Sequence, residues 1–198
     1  MARIHAPNNE CGHDRRTLRQ SLRQREITHD FTICHAEVEE IYNAADPVDT
    51  VVRNAHAKYE ACRQLHPGAA IITADTLVWF EGRLIGKPRD LLEAAEFLRA
   101  FSGNTQIVFS GVVLGMPGER SPVIRVEASS VEFKELTEEV IQGYLRRTMP
   151  LDRAGAYDID ENSELLIAGH CGSYTNIMGL PEEILRDWLR AQRLIAFS

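Results

Sequence analysis

The sequence lacks the features that mark several large classes of proteins. Its four cysteines are scattered over 198 residues without a Cys-x-x-Cys pair, so reduced thiols are expected rather than disulfides or a zinc site. No apolar run approaches the roughly 20 residues that span a bilayer. Neither a P-loop nor a dinucleotide-binding glycine fingerprint occurs, and no Gly-x-Ser-x-Gly motif is present for a serine nucleophile.

Basic residues are not in excess either. The chain has 29 acidic against 22 basic residues, a net charge of −7, which argues against a nucleic acid polymer as partner. Residues 1–8 lack the apolar core of a signal peptide, so the sequence predicts a cytoplasmic protein with no membrane partner. A hydrophobic content of 44% is ordinary for a globular protein, and the length suits one domain.

Helical and extended patterns alternate along the chain, which is typical of an α/β fold. Residues 7–9 and 11–14 are loop-like, and no strand is predicted before them. Strands are predicted at 31–34, 69–72, 106–114, 123–133 and 165–168. Helices are predicted at 15–25, at 48–63, at 91–101, after a Thr137 cap and from Pro181 onward. The helix at 48–63 has an inward face formed by Val48, Val51, Val52, Ala55, Tyr59 and Cys62.

The most informative stretch is residues 71–88. It predicts a buried strand with Asp75 at its end, a second extended run, a Glu-Gly turn and a Gly-Lys-Pro loop. Open α/β sheets bind ligands at the carboxyl ends of their strands. The turn between Asp75 and Lys87 is expected to bring Lys87 back towards Asp75. An acid and a base that converge at a sheet edge suit a metal ion and a phosphate.

These residues alone leave two readings open. Carboxylates, water and substrate phosphates together form a magnesium-type site, but any chain of this length has charges to spare on a solvated surface. Lys58 lies at the margin of the apolar face of its helix. It can therefore be a surface lysine with a buried stem or a lysine that reaches into a cleft.

Five short motifs occur in a characteristic order: Ala74-Asp75-Thr76, Gly86-Lys87-Pro88, LRAFSG at 98–103, PLDRAGAY at 150–157 and NIMGLP at 176–181. Together they resemble the Maf family of nucleoside triphosphate pyrophosphatases. The resemblance implies a mixed, twisted sheet with flanking helices and a central cleft, similar to inosine triphosphate pyrophosphatases. It also implies a single domain over residues 1–198, with two lobes around the cleft.

The resemblance assigns roles to individual residues. It implies that Asp75 binds the metal and activates water, and that Glu40 is a second metal ligand. Lys58 and Lys87 are expected to hold phosphates, and Thr76 to lie beside the base. The implied reaction is metal-dependent hydrolysis of a nucleoside triphosphate, a non-canonical or pyrimidine nucleotide, to the monophosphate and pyrophosphate, with Mg²⁺, Mn²⁺ or Co²⁺.

The chain also departs from the family pattern. Residues 10–16 replace a Ser-x-Ser-Pro-Arg-Arg loop, of which Arg15 and Arg16 keep the arginine pair as substrate-binding candidates. Arg153 replaces a lysine, and Asp160 replaces a base-contacting glutamine. An acceptor at Asp160 favours a base that offers N–H groups.

The alternative hypothesis is a catalytically impaired paralogue that binds nucleotide or a protein partner. Separately, the resemblance suggests a homodimer, because family members often form dimers.

Overall fold

The computed structural model describes residues 4–7, 31–34 and 37–194. The helix predicted at 15–25 and the divergent loop at 10–16, which includes Arg15 and Arg16, lie outside the described residues.

The described strands form one mixed sheet, which confirms the predicted fold class. They are β1 (Ile4–Pro7), β2 (Phe31–Cys34), β3 (Ala70–Phe80), β4 (Arg83–Ile85), β5 (Thr105–Gly115), β6 (Val123–Phe133) and β7 (Ile167–Cys171). Their order is β2-β1-β3-β5-β6-β7, with β4 paired to β3. Strand β1 pairs in parallel with β2 and β3, whereas the remaining pairs are antiparallel.

Five described α-helices flank this sheet: α1 (Pro47–Leu65), α2 (Leu91–Phe101), α3 (Glu138–Thr148), α4 (Tyr174–Ile177) and α5 (Glu182–Ala191). The first three begin at side-chain caps, because Asp46, Asp90 and Thr137 each accept a hydrogen bond from a backbone N–H of the first turn. The predicted helix at 91–101 and the predicted Thr137 cap are therefore confirmed. None of the helices in the described part of the chain is long and apolar enough to cross a membrane.

Helix α1 packs directly on the sheet backbone. A Cβ atom on Gly111 of β5 would lie 2.6 Å from the carbonyl carbon and oxygen of Val51, so only glycine permits this approach. Val51 is fully buried as predicted, but Val48 is 41% exposed. The prediction for Val48 was wrong because α1 reaches the sheet only one turn later, at Val51.

The opposite face of the sheet carries two separate apolar clusters. One is formed by α5 over Ala70, Ile72, Val112 and Leu114. The other joins α2 and α3 to the far ends of β3, β5 and β6. Thr76 of β3 pairs with Ser110 of β5, and both are buried polar residues. Along the two strands they lie between the residues of the two apolar clusters.

Three boundaries differ from the sequence prediction. Residues Ile4–Pro7 form a strand where no strand was predicted. Strand β7 begins at Ile167, because residues 163–165 form a 3₁₀ turn. Most importantly, β3 runs without a break through Asp75, which pairs with Gly111 in the middle of the sheet. The prediction that Asp75 ends a strand was wrong, because antiparallel pairing with β5 continues past it.

Candidate active site

Asp75 lies in the middle of β3 and points towards α1. It is 2% exposed. Its two carboxylate oxygens accept hydrogen bonds from different residues of α1, Oδ1 from Lys58 Nζ at 2.6 Å and Oδ2 from Asn54 Nδ2 at 3.1 Å. Because Lys58 and Asn54 are four residues apart on one helix, both face the same point of the strand.

Lys58 joins Asp75 to a second carboxylate. Its Nζ lies 2.6 Å from Glu40 Oε1 as well as 2.6 Å from Asp75 Oδ1. Tyr42 donates a hydrogen bond of 2.7 Å to the other oxygen of Glu40. Two carboxylates and one ammonium group leave a surplus of one negative charge here. Lys58 is only 5% exposed, so it is not a surface lysine, and its role in a cleft stays a prediction.

Burial and charge act against each other on these groups. Burial raises the pKa of Asp75, although Lys58 and Asn54 partly oppose it. For Lys58, burial would lower the pKa, but the charge of Asp75 and the contacts to both carboxylates outweigh burial and raise it. Burial likewise acts against the ionised form of Glu40, yet Lys58 and Tyr42 bring the net pKa of Glu40 below its usual value. Lys58 therefore stays protonated.

Lys87 approaches this group from a hairpin. Strands β3 and β4 are joined by the predicted Glu81-Gly82 turn, in which both residues have positive φ angles of 47° and 78°, as a tight two-residue hairpin turn requires. The chain then returns along β3 to Lys87, which is exposed and whose charge contributes to lowering the pKa of Glu40. The hairpin thus brings the charge of Lys87 within electrostatic reach of Glu40, and its approach to Asp75 stays a prediction.

The Gly-Lys-Pro loop contacts a second motif. The carbonyl oxygen of Gly86 accepts a hydrogen bond of 3.0 Å from the N–H of Gly155, within PLDRAGAY. Arg153, two residues earlier, forms an ion pair with Asp158 at 3.0 Å. The two loops are therefore neighbours in space although far apart in sequence.

Asp160 is exposed and lies next to this ion pair. Its N–H donates to Asp158 Oδ1 at 2.8 Å, and its own carboxylate accepts a hydrogen bond from the hydroxyl of Tyr174. Burial and the adjacent carboxylate raise the pKa of Tyr174, so this hydroxyl remains a donor. One carboxylate oxygen of Asp160, Oδ1, is thus occupied by a hydrogen bond within the protein.

Thr76 lies on the opposite face of β3 from Asp75, because successive side chains of a strand alternate. Its Oγ1 lies 2.6 Å from Ser110 Oγ and donates to the carbonyl oxygen of Gly179 at 2.9 Å. Gly179 belongs to the NIMGLP motif. The structure therefore brings Glu40, Lys58 and Asp75 together and holds Thr76 across the sheet from them.

Sequence reasoning missed Asn54 and Ser110. Asn54 lies four residues before Lys58, at a position where the helix faces the strand, and this spacing is the signal that was available. Ser110 carries no local signal, because only the antiparallel register places it opposite Thr76.

The donor set fits a hard divalent cation with few protein ligands. No cluster of three or more His, Cys, Asp or Glu side chains able to hold a metal occurs within residues 37–194, so a cage made wholly of protein ligands is not formed there. Two carboxylates with a surplus negative charge match the way Mg²⁺ is held, by one or two carboxylates, water and substrate phosphates.

Comparison with known proteins identifies the family of the chain. The family model described as Maf-like protein matches residues 15–192. A dTTP/UTP pyrophosphatase of Bacillus cytotoxicus is 38% identical over 152 residues, 76% of this chain and 78% of that protein. The dTTP/UTP pyrophosphatase of Akkermansia muciniphila is 38% identical over 82% of this chain and 87% of its own length. That of Myxococcus xanthus is 37% identical over 82% and 81%. The chain therefore belongs to the Maf-like protein family.

Proposed function

We propose that the protein hydrolyses a nucleoside triphosphate to the monophosphate and pyrophosphate. The observation that carries the proposal is the group formed by the buried Lys58 and Asp75 and the partly exposed Glu40, joined by two contacts of 2.6 Å. The relatives named dTTP/UTP pyrophosphatases support the same reaction. Water attacks the α-phosphorus, the bond from this phosphorus to the bridging oxygen breaks, and pyrophosphate leaves.

In this proposal Asp75 accepts the proton of the attacking water. A general base works best when its pKa is close to the working pH, and burial shifts the pKa of Asp75 in that direction. The contact from Asn54 to Oδ2 fixes the orientation of the carboxylate. Phosphoryl transfer requires the attacking and leaving oxygens to lie roughly in line with the phosphorus, and a carboxylate of fixed orientation would hold the water on the side opposite to the leaving pyrophosphate.

The cationic residues have electrostatic roles. Lys58 remains protonated between the two carboxylates and limits their repulsion. Lys87, which is exposed on the neighbouring loop, binds the phosphates of the substrate in this proposal. Arg153 and, outside the described residues, Arg15 and Arg16 are the further phosphate-binding candidates.

We assign Glu40 and Asp75 as the ligands of a divalent cation, Mg²⁺, Mn²⁺ or Co²⁺. When bound, such an ion neutralises phosphate charge and lowers the pKa of a coordinated water. The surplus negative charge of the Glu40, Lys58 and Asp75 group supports this assignment.

For the base, we propose uracil or thymine. The relatives named above carry dTTP and UTP in their names, and an ionised Asp160 is an acceptor suited to the N3–H of these bases. Thr76 is the second candidate, and it would act indirectly, because its buried hydroxyl holds the carbonyl oxygen of Gly179 on the face of β3 opposite to Asp75.

A panel of canonical and modified triphosphates, assayed for pyrophosphate release with Mg²⁺, Mn²⁺ and Co²⁺, tests the function. Pyrophosphate, and not orthophosphate, is the expected product, and reaction in ¹⁸O-labelled water should place the label in the monophosphate. Label in the pyrophosphate, or release of orthophosphate, contradicts attack at the α-phosphorus. Nucleotide binding without turnover in every metal would instead favour the impaired paralogue.

A further inference from the structure

Asn54 is an uncharged residue that contacts both parts of the site. It binds the carboxylate of Asp75 and the backbone of Ile41, which follows Glu40. It lies on α1, one turn before Lys58, and is 1% exposed. Its Nδ2 donates to Asp75 Oδ2 at 3.1 Å and to the carbonyl oxygen of Ile41 at 3.0 Å. Its Oδ1 accepts from the N–H of Ile41 at 2.9 Å.

The neighbours determine which way round this amide lies. The N–H of Ile41 can only donate and its carbonyl oxygen can only accept, so Oδ1 and Nδ2 cannot be exchanged. Asn54 thus accepts a hydrogen bond from the N–H of Ile41 and donates one to its carbonyl oxygen. These are the two hydrogen bonds that a neighbouring strand would otherwise provide. An aspartate at this position would lack the donors, and a leucine would lack both donor and acceptor.

The segment that carries Glu40 needs such an anchor. Residues 37–43 form neither helix nor strand, so no regular backbone pairing holds Ile41 in place. Thr50 and Trp79 contact the carbonyl oxygens of Asn43, Ala44 and Asp46, but these lie beyond Tyr42. Asn54 forms hydrogen bonds with both backbone groups of Ile41, the residue directly after Glu40.

We propose that Asn54 is a positioning residue that sets the distance between Glu40 and Asp75 at which they share one divalent cation. It orients Asp75 directly and Glu40 through Ile41. The inference rests on the proposed function, because it assumes that the two carboxylates are the metal ligands. Loss of a hydrogen-bonding partner behind a metal ligand typically lowers metal affinity or activity about 10-fold to 100-fold.

The test compares Asn54→Leu with a matched change on the same interface. Thr73 is also fully buried, lies on the same face of β3 as Asp75 and donates to the carbonyl oxygen of Ala55 in α1 at 2.7 Å. Thr73→Val therefore removes a buried hydrogen bond between the same two elements without touching a carboxylate. Asn54→Gln, which keeps the amide, serves as the conservative variant.

Mn²⁺ binding is measured by electron paramagnetic resonance, with Mn²⁺ alone and with the α,β-methylene analogue of UTP, which cannot be cleaved at the reacting bond. We expect Asn54→Leu to weaken Mn²⁺ binding by about 10-fold or more, Asn54→Gln to recover part of it, and Thr73→Val to bind like the wild type. If Asn54→Leu does not fold, the same comparison is made with Asn54→Ser.

The outcomes separate this inference from the proposed function. Equal Mn²⁺ affinity in Asn54→Leu and wild type, or equal weakening in Thr73→Val, overturns the positioning role. Wild-type protein that binds no Mn²⁺ in either arm also overturns it. Wild-type protein that releases no pyrophosphate but binds Mn²⁺ more tightly than Asn54→Leu removes the proposed function and leaves the positioning role standing.

Discussion

Lys58 and Asp75 form a buried ion pair between α1 and β3, with 2.6 Å between Nζ and Oδ1 and with both side chains at most 6% exposed. Glu40 makes the second contact of the same ammonium group. This ammonium group matters for stability as well as for chemistry, because its removal leaves two carboxylates without a compensating charge.

Asp75→Asn should reduce pyrophosphate release by about 10²-fold to 10⁴-fold, the usual contribution of a general base. The amide keeps the size of the side chain but removes its charge and basicity. The matched control is Asp49→Asn. Asp49 is exposed, and its carboxylate lies 3.7 Å from Arg53 in a surface ion pair, so the same change there removes a surface charge. Wild-type turnover in Asp75→Asn would remove Asp75 from the mechanism.

Lys58→Met should destabilise the protein by about 3–5 kcal/mol, the typical cost of removing one partner of a buried ion pair. Adding Asp75→Asn should recover part of this loss, because the remaining buried charge is then removed. Urea unfolding of the two single variants and the double variant gives the coupling free energy. Strictly additive effects would show that the pair has no energetic connection.

Thr76→Val and Thr73→Val should separate specificity from stability. Each removes a buried hydroxyl that donates to a backbone carbonyl, of Gly179 and Ala55 respectively, so each should cost about 1–3 kcal/mol. Only Thr76→Val should change the preference for UTP over CTP, by about tenfold in kcat/KM. An equal change in both variants would assign Thr76 a purely structural role.

Gly111→Ala should destabilise the protein by about 1–3 kcal/mol or more, since the new methyl group meets the Val51 backbone at 2.6 Å. Turnover should fall as well, because α1 carries Lys58 and Asn54. Gly143→Ala is the control: it lies within α3 with nothing within 4 Å of the added carbon, and should stabilise by about 0.5–1 kcal/mol. Thermal unfolding measures both.

The ion pair that joins α2 to α3 should give a pH-dependent contribution to stability. Arg99 donates two hydrogen bonds of 2.8 Å to Glu138 and lowers the pKa of Glu138 to about 2, from 4.5. The stabilisation is therefore fully present above pH 4.5 and is lost as the pH falls towards 2. The Tm difference between wild type and Glu138→Gln should shrink across this window. A difference independent of pH contradicts the ionic origin.

Local patterns in the sequence were enough to predict most of the elements. The apolar spacing and caps of α1, α2 and α3 depend on residues within one or two turns, so these helices were found close to their observed bounds. The Glu81-Gly82 turn was found for the same reason. Strand β1 was missed because its four residues, which end in a proline, form a strand only by pairing with β2 and β3.

The candidate site was predicted only in part. The candidate residues Glu40, Lys58, Asp75 and Lys87 could be singled out from the sequence and the family resemblance, but their mutual arrangement could not. Asp75 was expected at a strand end, whereas antiparallel pairing with Gly111 puts it in mid-sheet. Asn54 was missed because an asparagine on a helix shows its role only when its partners on Ile41 and Asp75 are in place.

The sequence by itself determined the fold class, the family and the chemical groups available, since these depend on residue types and short-range spacing. Only the tertiary structure decided that Lys58 is buried between two carboxylates and that Thr76 faces away from Asp75. The physical reason is that both facts depend on the register of β3 against β5 and on the close contact of α1 with Gly111. These contacts join residues that are distant in the chain.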